Sequence, residues 1–189
     1  MPTLGPNGWQ VDTPQVQRLR VDEEQIGFWA GKFFRSYLEL NVPVAGPFVS
    51  ARFTSPIDFI LWAQTLDLSQ GALRCEIFVG NVVPIVPAGV WSQVPLIGVN
   101  RMLNGRPQPY YTPQVTIETG GSFTGGTAVD LMTLRAAGQN GQASNVGESS
   151  TERGLPPGVY YIRLSTITGG LAVNDPAQGV YSIVWEERP

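Results

Sequence analysis

The chain reads IDFILWAQTLDL at residues 57–68, SQG at 69–71 and ALRCEIFV at 72–79. The last segment alternates between two sides: Leu73, Cys75, Ile77 and Val79 on one, Arg74, Glu76 and Phe78 on the other. Alternation with a period of two places one side of a strand in a core and the other toward water or a partner. The first segment opens with a nearly continuous apolar run, which predicts a strand buried on both faces. Because glycine accepts a positive φ, SQG predicts a hairpin turn between two strands that further strands must cover.

Similar runs recur along the rest of the chain, separated by Gly, Pro, Asn or Ser. Short strands with turn residues between them are typical of a sandwich or a barrel rather than of βαβ units. The sequence therefore predicts an all-β fold for a single domain over residues 26–189. The predicted strands are 48–54, 57–66, 73–79, 114–119, 128–134, 160–166 and 181–186.

Residues 27–40 are rich in aromatic side chains and fit two structures. A helix would align Ile26, Trp29, Phe33 and Tyr37 on one stripe, with the acidic run 22–24 at its N-terminus. A strand over 32–40 fits almost as well, and we favour it because all later elements are predicted to be strands.

The last two predicted strands both begin with Gly-Val-Tyr, at residues 158–160 and 179–181. Their spacing permits antiparallel pairing with each other across the glycines and the Asn-Asp-Pro turn between them. A third copy of the phrase is absent from the sequence, so a repeat architecture is not expected.

Residues 1–25 predict an extended N-terminal arm. Three prolines within residues 1–14 exclude a helix and a central strand there. Leu4 and Trp9 are apolar anchors on this arm. Two destinations for them stay open, a pocket on the arm's own domain and a pocket on a neighbouring molecule.

Two long insertions interrupt the strand pattern. Residues 82–113 contain six prolines, and residues 136–157 are rich in Gly, Ser, Asn and Gln. Loops of this length in a compact domain are usually functional or ordered by other groups. Trp91, Tyr110 and Tyr111 in the first insertion suit contact with a protein or stacking on a sugar, or they pack the loop onto its own domain.

Composition excludes several functions. The 12 basic and 15 acidic residues give a net charge of −3 with no basic block, which argues against nucleic acid as a partner. No apolar run reaches 18 residues, and the N-terminus does not resemble a signal peptide, so we expect no membrane partner and folding in a reducing cytosol. The single cysteine, Cys75, is expected to be a small core residue.

Catalytic chemistry has few candidates in this sequence. The absence of histidine removes histidine-based triads, metal sites and proton shuttles. The remaining catalytic candidates are paired carboxylates of the kind that a glycosidase uses. A calcium site at Asn174 and Asp175 is conceivable but would lack a loop with repeated ligands. We expect no catalytic residue, cofactor or metal. The candidate carboxylates are Asp58, Asp67, Glu76, Glu118 and Asp130.

Five phrases together resemble virion structural proteins of tailed, podovirus-like bacteriophages, some of which are head decoration (cement) proteins. The similarity spans about residues 41–188. Its phrases are the segments 66–74, 111–116, 152–154, 158–163 and 185–188.

The resemblance implies a jelly-roll-like antiparallel β-sandwich on the capsid surface of a virion, made in the host cytoplasm and without catalytic residues or cofactor. Such a protein would form a homotrimer and bridge neighbouring subunits of the major capsid protein. The alternative is a receptor- or glycan-binding module on a tail or head fibre. The residues expected to contact a partner are Leu4, Trp9, Trp91, Leu96, Tyr110 and Tyr111.

Overall fold

The computed structural model of the chain describes residues 26–44, 48–85, 90–99, 111–136, 143–147, 153–167 and 176–189. The predicted arm, residues 1–25, lies outside this part of the chain. Within it, one short helix precedes twelve strands. In chain order these are α1 (Ile26–Trp29), β1 (Phe33–Val42), β2 (Val49–Ser55), β3 (Asp58–Gln70), β4 (Ala72–Pro84), β5 (Ser92–Gln93), β6 (Ile97–Gly98), β7 (Thr116–Thr119), β8 (Phe123–Arg135), β9 (Ala143–Gly147), β10 (Arg153–Leu155), β11 (Gly158–Thr166) and β12 (Ala177–Arg188).

The strands form two antiparallel sheets that pack face to face. The first sheet has the order β10-β3-β12-β1-β6, and β9 pairs with β3 beside β10. The second sheet has the order β5-β7-β2-β11-β4-β8. The long strands provide most of the pairing, since β12 runs along β3 and β1, and β4 runs along β8 and β11.

The strand order is that of a jelly roll. We number β1, β2, β3, β4, β8, β9 with β10, β11 and β12 as strands one to eight. The first sheet then contains strands one, eight, three and six in that order, and the second contains two, seven, four and five. This interleaving closes a double-sheet jelly roll, so the predicted all-β, jelly-roll-like sandwich is confirmed.

The predicted hairpin between residues 57 and 79 is wrong, because β3 lies in the first sheet and β4 in the second. Gly71, with a φ of 79°, turns the chain from one sheet to the other. A glycine with positive φ serves this corner as well as it serves a hairpin, so the turn residues did not distinguish the two. β3 is also buried on one face rather than two.

The suggested pairing of the last two strands is wrong for the same reason. β11 pairs with β2 and β4 in the second sheet, and β12 pairs with β1 and β3 in the first. The preferred strand near residues 32–40 is confirmed as β1, and helix is confined to the four residues of α1.

Two apolar clusters fill the space between the sheets. One surrounds Leu66, Leu73 and Leu164, and the other surrounds Phe53 and Trp185. We call the second one the aromatic core. Cys75 lies in the first cluster, as expected, and burial together with the nearby charges of Asp130 and Glu76 raises its pKa to about 12.

A third cluster lies on the outer face of the second sheet and contains Phe78, Phe123 and Tyr161. The sequence predicts Phe78 to face water or a partner, yet only 8% of its surface is exposed. The guanidinium of Arg163 lies 4.5 Å from the centroid of the Phe78 ring and 5.0 Å from that of Phe123. This face is covered because the first insertion folds back over it. We call these residues the outer cluster.

Candidate functional site

The start of the first insertion is fastened to the second sheet by backbone hydrogen bonds. The Ile85 N–H donates to the carbonyl of Ser122 over 2.9 Å, and the Val94 N–H donates to the carbonyl of Ile117 over 2.8 Å. Between these points β5 pairs with β7. The described part of the insertion therefore joins the sheets, since β5 extends the second sheet beyond β7 and β6 extends the first sheet beyond β1.

Trp91 anchors the insertion to the outer face of the second sheet. Its indole packs against the outer cluster, with the Tyr161 ring centroid 6.2 Å away and the Arg52 guanidinium 4.8 Å from the ring centroid. A Cβ on Gly121 would lie 1.9 Å from Cε2 of the indole, so only glycine leaves room for the ring. Trp91 is thus half-buried against its own domain.

Arg52 is itself fixed beside Trp91 by Glu118. Its Nε lies 2.5 Å from Oε2 of Glu118 in a part-buried ion pair. The hydrogen bond to Glu118 raises the pKa of Arg52, and burial opposes that rise. The ion pair orients the guanidinium across the indole, which is a favourable cation–π arrangement.

Three apolar side chains of the first insertion are exposed. Val83, Ile85 and Val90 are 58%, 42% and 84% exposed. Ile85 and Val90 both lie against the segment 120–122, since a Cβ on Gly120 would lie 3.1 Å from the carbonyl oxygen of Val90. We call Val83, Ile85 and Val90 the first-insertion surface.

The sequence analysis did not predict these three residues as contacts, since it selected mainly the aromatic side chains of the insertion. The signal is present, since residues 82–91 read VVPIVPAGVW without one charged side chain. An apolar run of this kind in a proline-rich loop cannot be a buried central strand throughout, so part of it must face outward.

Leu96 and Tyr111 pack elsewhere, against the aromatic core between the sheets. The Tyr111 hydroxyl donates to Oε2 of Glu187 over 2.7 Å, and the Lys32 ammonium lies 5.5 Å from the centroid of its ring. Burial and the hydrogen bond to Glu187 raise the pKa of Tyr111 above its ordinary range. The structure therefore does not bring Trp91, Leu96 and Tyr111 into one cluster.

Three predicted contact residues, Leu4, Trp9 and Tyr110, lie outside the described residues, and their role stays a prediction. The same holds for Asn174 and Asp175 as calcium ligands. Among the residues that are described, no group of three or more His, Cys, Asp or Glu side chains is arranged to hold a metal ion. No helix in that part of the chain is long and apolar enough to span a bilayer.

Several of the candidate carboxylates are engaged in local contacts. Glu118 pairs with Arg52, and Oε1 of Glu76 lies 3.1 Å from a guanidinium nitrogen of Arg74. Asp130 accepts a hydrogen bond from the Leu131 N–H over 2.8 Å.

The most buried carboxylates, Glu186 and Glu187, were not among the candidates. Glu187 is 0% exposed and accepts hydrogen bonds from the Tyr111 hydroxyl and the Gln114 and Val115 N–H groups. Glu186 points to the opposite side of β12 and pairs with Arg188, whose Nε lies 3.0 Å from its Oε1. The contacts of Glu187 fasten the segment before β7 to β12, and the Trp62 indole N–H of β3 donates to Oε2 of Glu186 over 3.2 Å.

Comparison of the chain with protein-family models, with curated proteins and with solved structures gives no match. The function must therefore be argued from the residues and from the jelly roll. Jelly rolls occur among viral capsid proteins, lectins and cupins, and one fold of this kind carries unrelated functions. The exposed residues have to distinguish between these classes.

Proposed function

We propose that the chain is a non-enzymatic decoration protein of a bacteriophage capsid. It binds the major capsid protein on the outside of the shell and bridges neighbouring subunits, as a homotrimer. The observation that carries the proposal is the exposure of three apolar side chains in the first insertion, Val83, Ile85 and Val90, which we call the first-insertion surface. The resemblance of residues 41–188 to phage virion proteins supplies the class of partner.

The energetics favour docking at this surface. Full burial of an aliphatic side chain such as valine is worth about 1.5–3 kcal/mol. Val90 is 84% exposed, so nearly all of that stabilisation is still available to a complex. An ordinary interface buries on the order of 1,600 Å² in total, and many copies acting on one shell add their effects.

Anchoring of the insertion favours the same role. Docking a flexible loop costs conformational entropy, which reduces affinity. The hydrogen bond from Ile85 to Ser122 and the packing of Trp91 on Gly121 fix these parts of the insertion in the absence of a partner. The exposed side chains are therefore presented on a preorganised support.

The direct test replaces Val90 with aspartate and measures co-sedimentation with shells assembled from the major capsid protein of the same virus. We expect at least about tenfold weaker binding, because a charge at the centre of an apolar contact is desolvated without a partner. Tyr37→Asp is the control, since Tyr37 is half exposed on the outer face of the first sheet. Wild-type binding by the Val90 variant would overturn the proposal.

The arm is tested separately by deleting residues 1–14. We expect lower occupancy on heads if Leu4 and Trp9 clamp a neighbouring molecule. Undiminished occupancy of the truncated protein would show that the arm is not a clamp, and it would leave the first-insertion surface to be judged by the Val90 variant.

The second candidate is a glycan-binding module on a tail or head fibre, favoured by the half-buried Trp91 on a jelly roll. Stacking on a sugar needs an open indole face. Contacts of Trp91 with Arg52, Tyr161 and Gly121 leave less of the indole open, and this weakens the candidate. Glycan-array binding that is lost on Trp91→Ala would favour it over the decoration protein.

A further inference from the structure

A cavity of about 240 Å³ lies between the two sheets. Its walls include Phe53, Phe59 and Leu61 from one end and Ile162 and Ile183 from the centre. Each of these five side chains is buried, so the cavity penetrates the sandwich. Val129 of β8 also lines the cavity and is more than half exposed, which locates the mouth at the edge strand of the second sheet.

The size of the cavity bounds its occupant. An apolar cavity of about 150 Å³ stays dry and binds benzene, which has six heavy atoms. At about 240 Å³ the space here is larger by somewhat more than half, so it accepts an apolar molecule of roughly ten heavy atoms, such as two fused rings. A polar molecule of that size would leave its hydrogen bonds unmade against the aromatic and aliphatic walls.

One wall of the cavity is polar, and its side chains form two consecutive hydrogen bonds. The Tyr181 hydroxyl donates to Oε1 of Gln64 over 2.8 Å, and Nε2 of Gln64 donates to Oδ2 of Asp130 over 3.4 Å. Gln64 and Asp130 both line the cavity. Gln64 thus donates to a carboxylate at the cavity wall, and a carboxylate accepts hydrogen bonds and repels anions.

We propose that this cavity binds a small neutral apolar molecule that carries one hydroxyl or amine donor, with its rings among Phe53, Phe59 and Ile183 and its donor at Asp130. The class follows from the apolar walls, the volume and the acceptor at one wall. The site is separate from the first-insertion surface, so its occupancy does not depend on the role proposed for that surface.

Isothermal titration calorimetry of the full chain with 2-naphthol tests the proposal, with 2-naphthoate as the anionic comparison. Because the anion is also the larger molecule, the Asp130→Asn variant below separates the effect of charge from that of size. We expect saturable binding of one 2-naphthol per chain and at least about tenfold weaker binding of 2-naphthoate, since the anion would face Asp130. Absence of saturable 2-naphthol binding, or equal binding of both compounds, would overturn the proposal.

Two variants locate the site. Val129→Trp should block the mouth and weaken 2-naphthol binding at least about tenfold. Leu131→Trp is the control, because Leu131 is similarly exposed on β8 and does not line the cavity. Thermal unfolding of both variants verifies that they fold. Equal 2-naphthol binding by the two folded variants would place the ligand elsewhere and refute the assignment.

Asp130→Asn tests the polar end. Asparagine keeps an acceptor and removes the charge, so 2-naphthoate should approach 2-naphthol in affinity. An unchanged preference for 2-naphthol would show that Asp130 does not face the bound molecule.

Discussion

Glu187 shows what a single buried carboxylate does in this fold. One oxygen accepts from Tyr111 and Gln114, over 2.7 and 2.9 Å, and the other accepts from Val115 over 3.1 Å. With the Trp185 indole N–H, which donates to the second oxygen over 3.4 Å, four donors around a carboxylate that is 0% exposed offset the cost of removing its charge from water. The side chain thereby ties the segment before β7 to the end of β12.

Glu187→Gln should destabilise the protein by about 2–3 kcal/mol, because an amide NH₂ would then face at least one backbone N–H that needs an acceptor. Urea unfolding measures the change. The control is Glu39→Gln on the exposed side of β1, which should alter the free energy of unfolding by less than about 0.5 kcal/mol. Equal effects of the two variants would contradict the role given to Glu187.

Tyr181 predicts how stability changes at alkaline pH. Burial raises its pKa well above the ordinary value of 10.0, and the charges nearby at Cys75 and Asp130 add to the rise. The folded state therefore keeps a proton that the unfolded chain releases above about pH 10. The contribution of Tyr181 to stability is complete below that pH and falls above it, by about 1.4 kcal/mol per pH unit for this one proton.

Urea unfolding of the wild type and of Tyr181→Phe between pH 8 and 11 checks this expectation. The phenylalanine variant starts less stable, because Gln64 loses the hydroxyl that donates to it. Its free energy of unfolding should then fall less steeply above about pH 10 than that of the wild type. Parallel curves would contradict the assignment.

At the scale of elements, strands were predictable and their partners were not. Alternation at residues 73–79 identifies β4 because its inward side is apolar, and this pattern depends on local sequence alone. Whether Gly71 closes a hairpin or carries the chain to the other sheet depends on contacts with β12, which is more than a hundred residues away in the chain. The short turn has the same local chemistry in both cases.

Gly71→Ala tests the corner between the sheets. A Cβ at this position would lie 2.8 Å from the carbonyl oxygen of Pro176 and 2.9 Å from Cα of Ala177, in a backbone with a φ of +79°. Gly80→Ala is a matched control, since Gly80 has a φ of +70° and open space around it. Gly80→Ala should cost about 1 kcal/mol from backbone strain alone.

We expect Gly71→Ala to cost at least about 2 kcal/mol more than Gly80→Ala in urea unfolding, because backbone atoms cannot move aside as a flexible side chain can. Similar costs for the two variants would mean that the corner is not tightly packed against β12.

The candidate site was predictable in part for a related reason. The length and aromatic residues of the proline-rich insertion, which contains Trp91, predict a contact region, and that role stays a prediction. Whether Trp91 faces inward or outward depends on Gly121, because the missing side chain there leaves space for the indole against the second sheet. Exposure of Val90 follows from that packing and is not visible in local alternation.

The buried acids and the cavity were out of reach of the sequence. Glutamate is rarely buried without partners, and the distant partners of these two carboxylates are Tyr111 for Glu187 and Trp62 of β3 for Glu186. The cavity depends on how far the two sheets separate near Phe59 and Ile183, which no residue pattern specifies.

The described residues form a sandwich whose apolar side chains lie in two kinds of place, in the core and on the surface. Those between the sheets hold the jelly roll together, and those of the first-insertion surface are exposed. The proposed function joins these features, since a stiff body with an exposed apolar layer can connect neighbouring subunits of a shell without any reaction.

An image reconstruction of the purified virion that locates this chain tests that proposal most directly. We expect density for the jelly roll in many copies on the outside of the head, grouped in threes, with Val83, Ile85 and Val90 against the major capsid protein. A few copies at the tail, or a head without the chain, would contradict it.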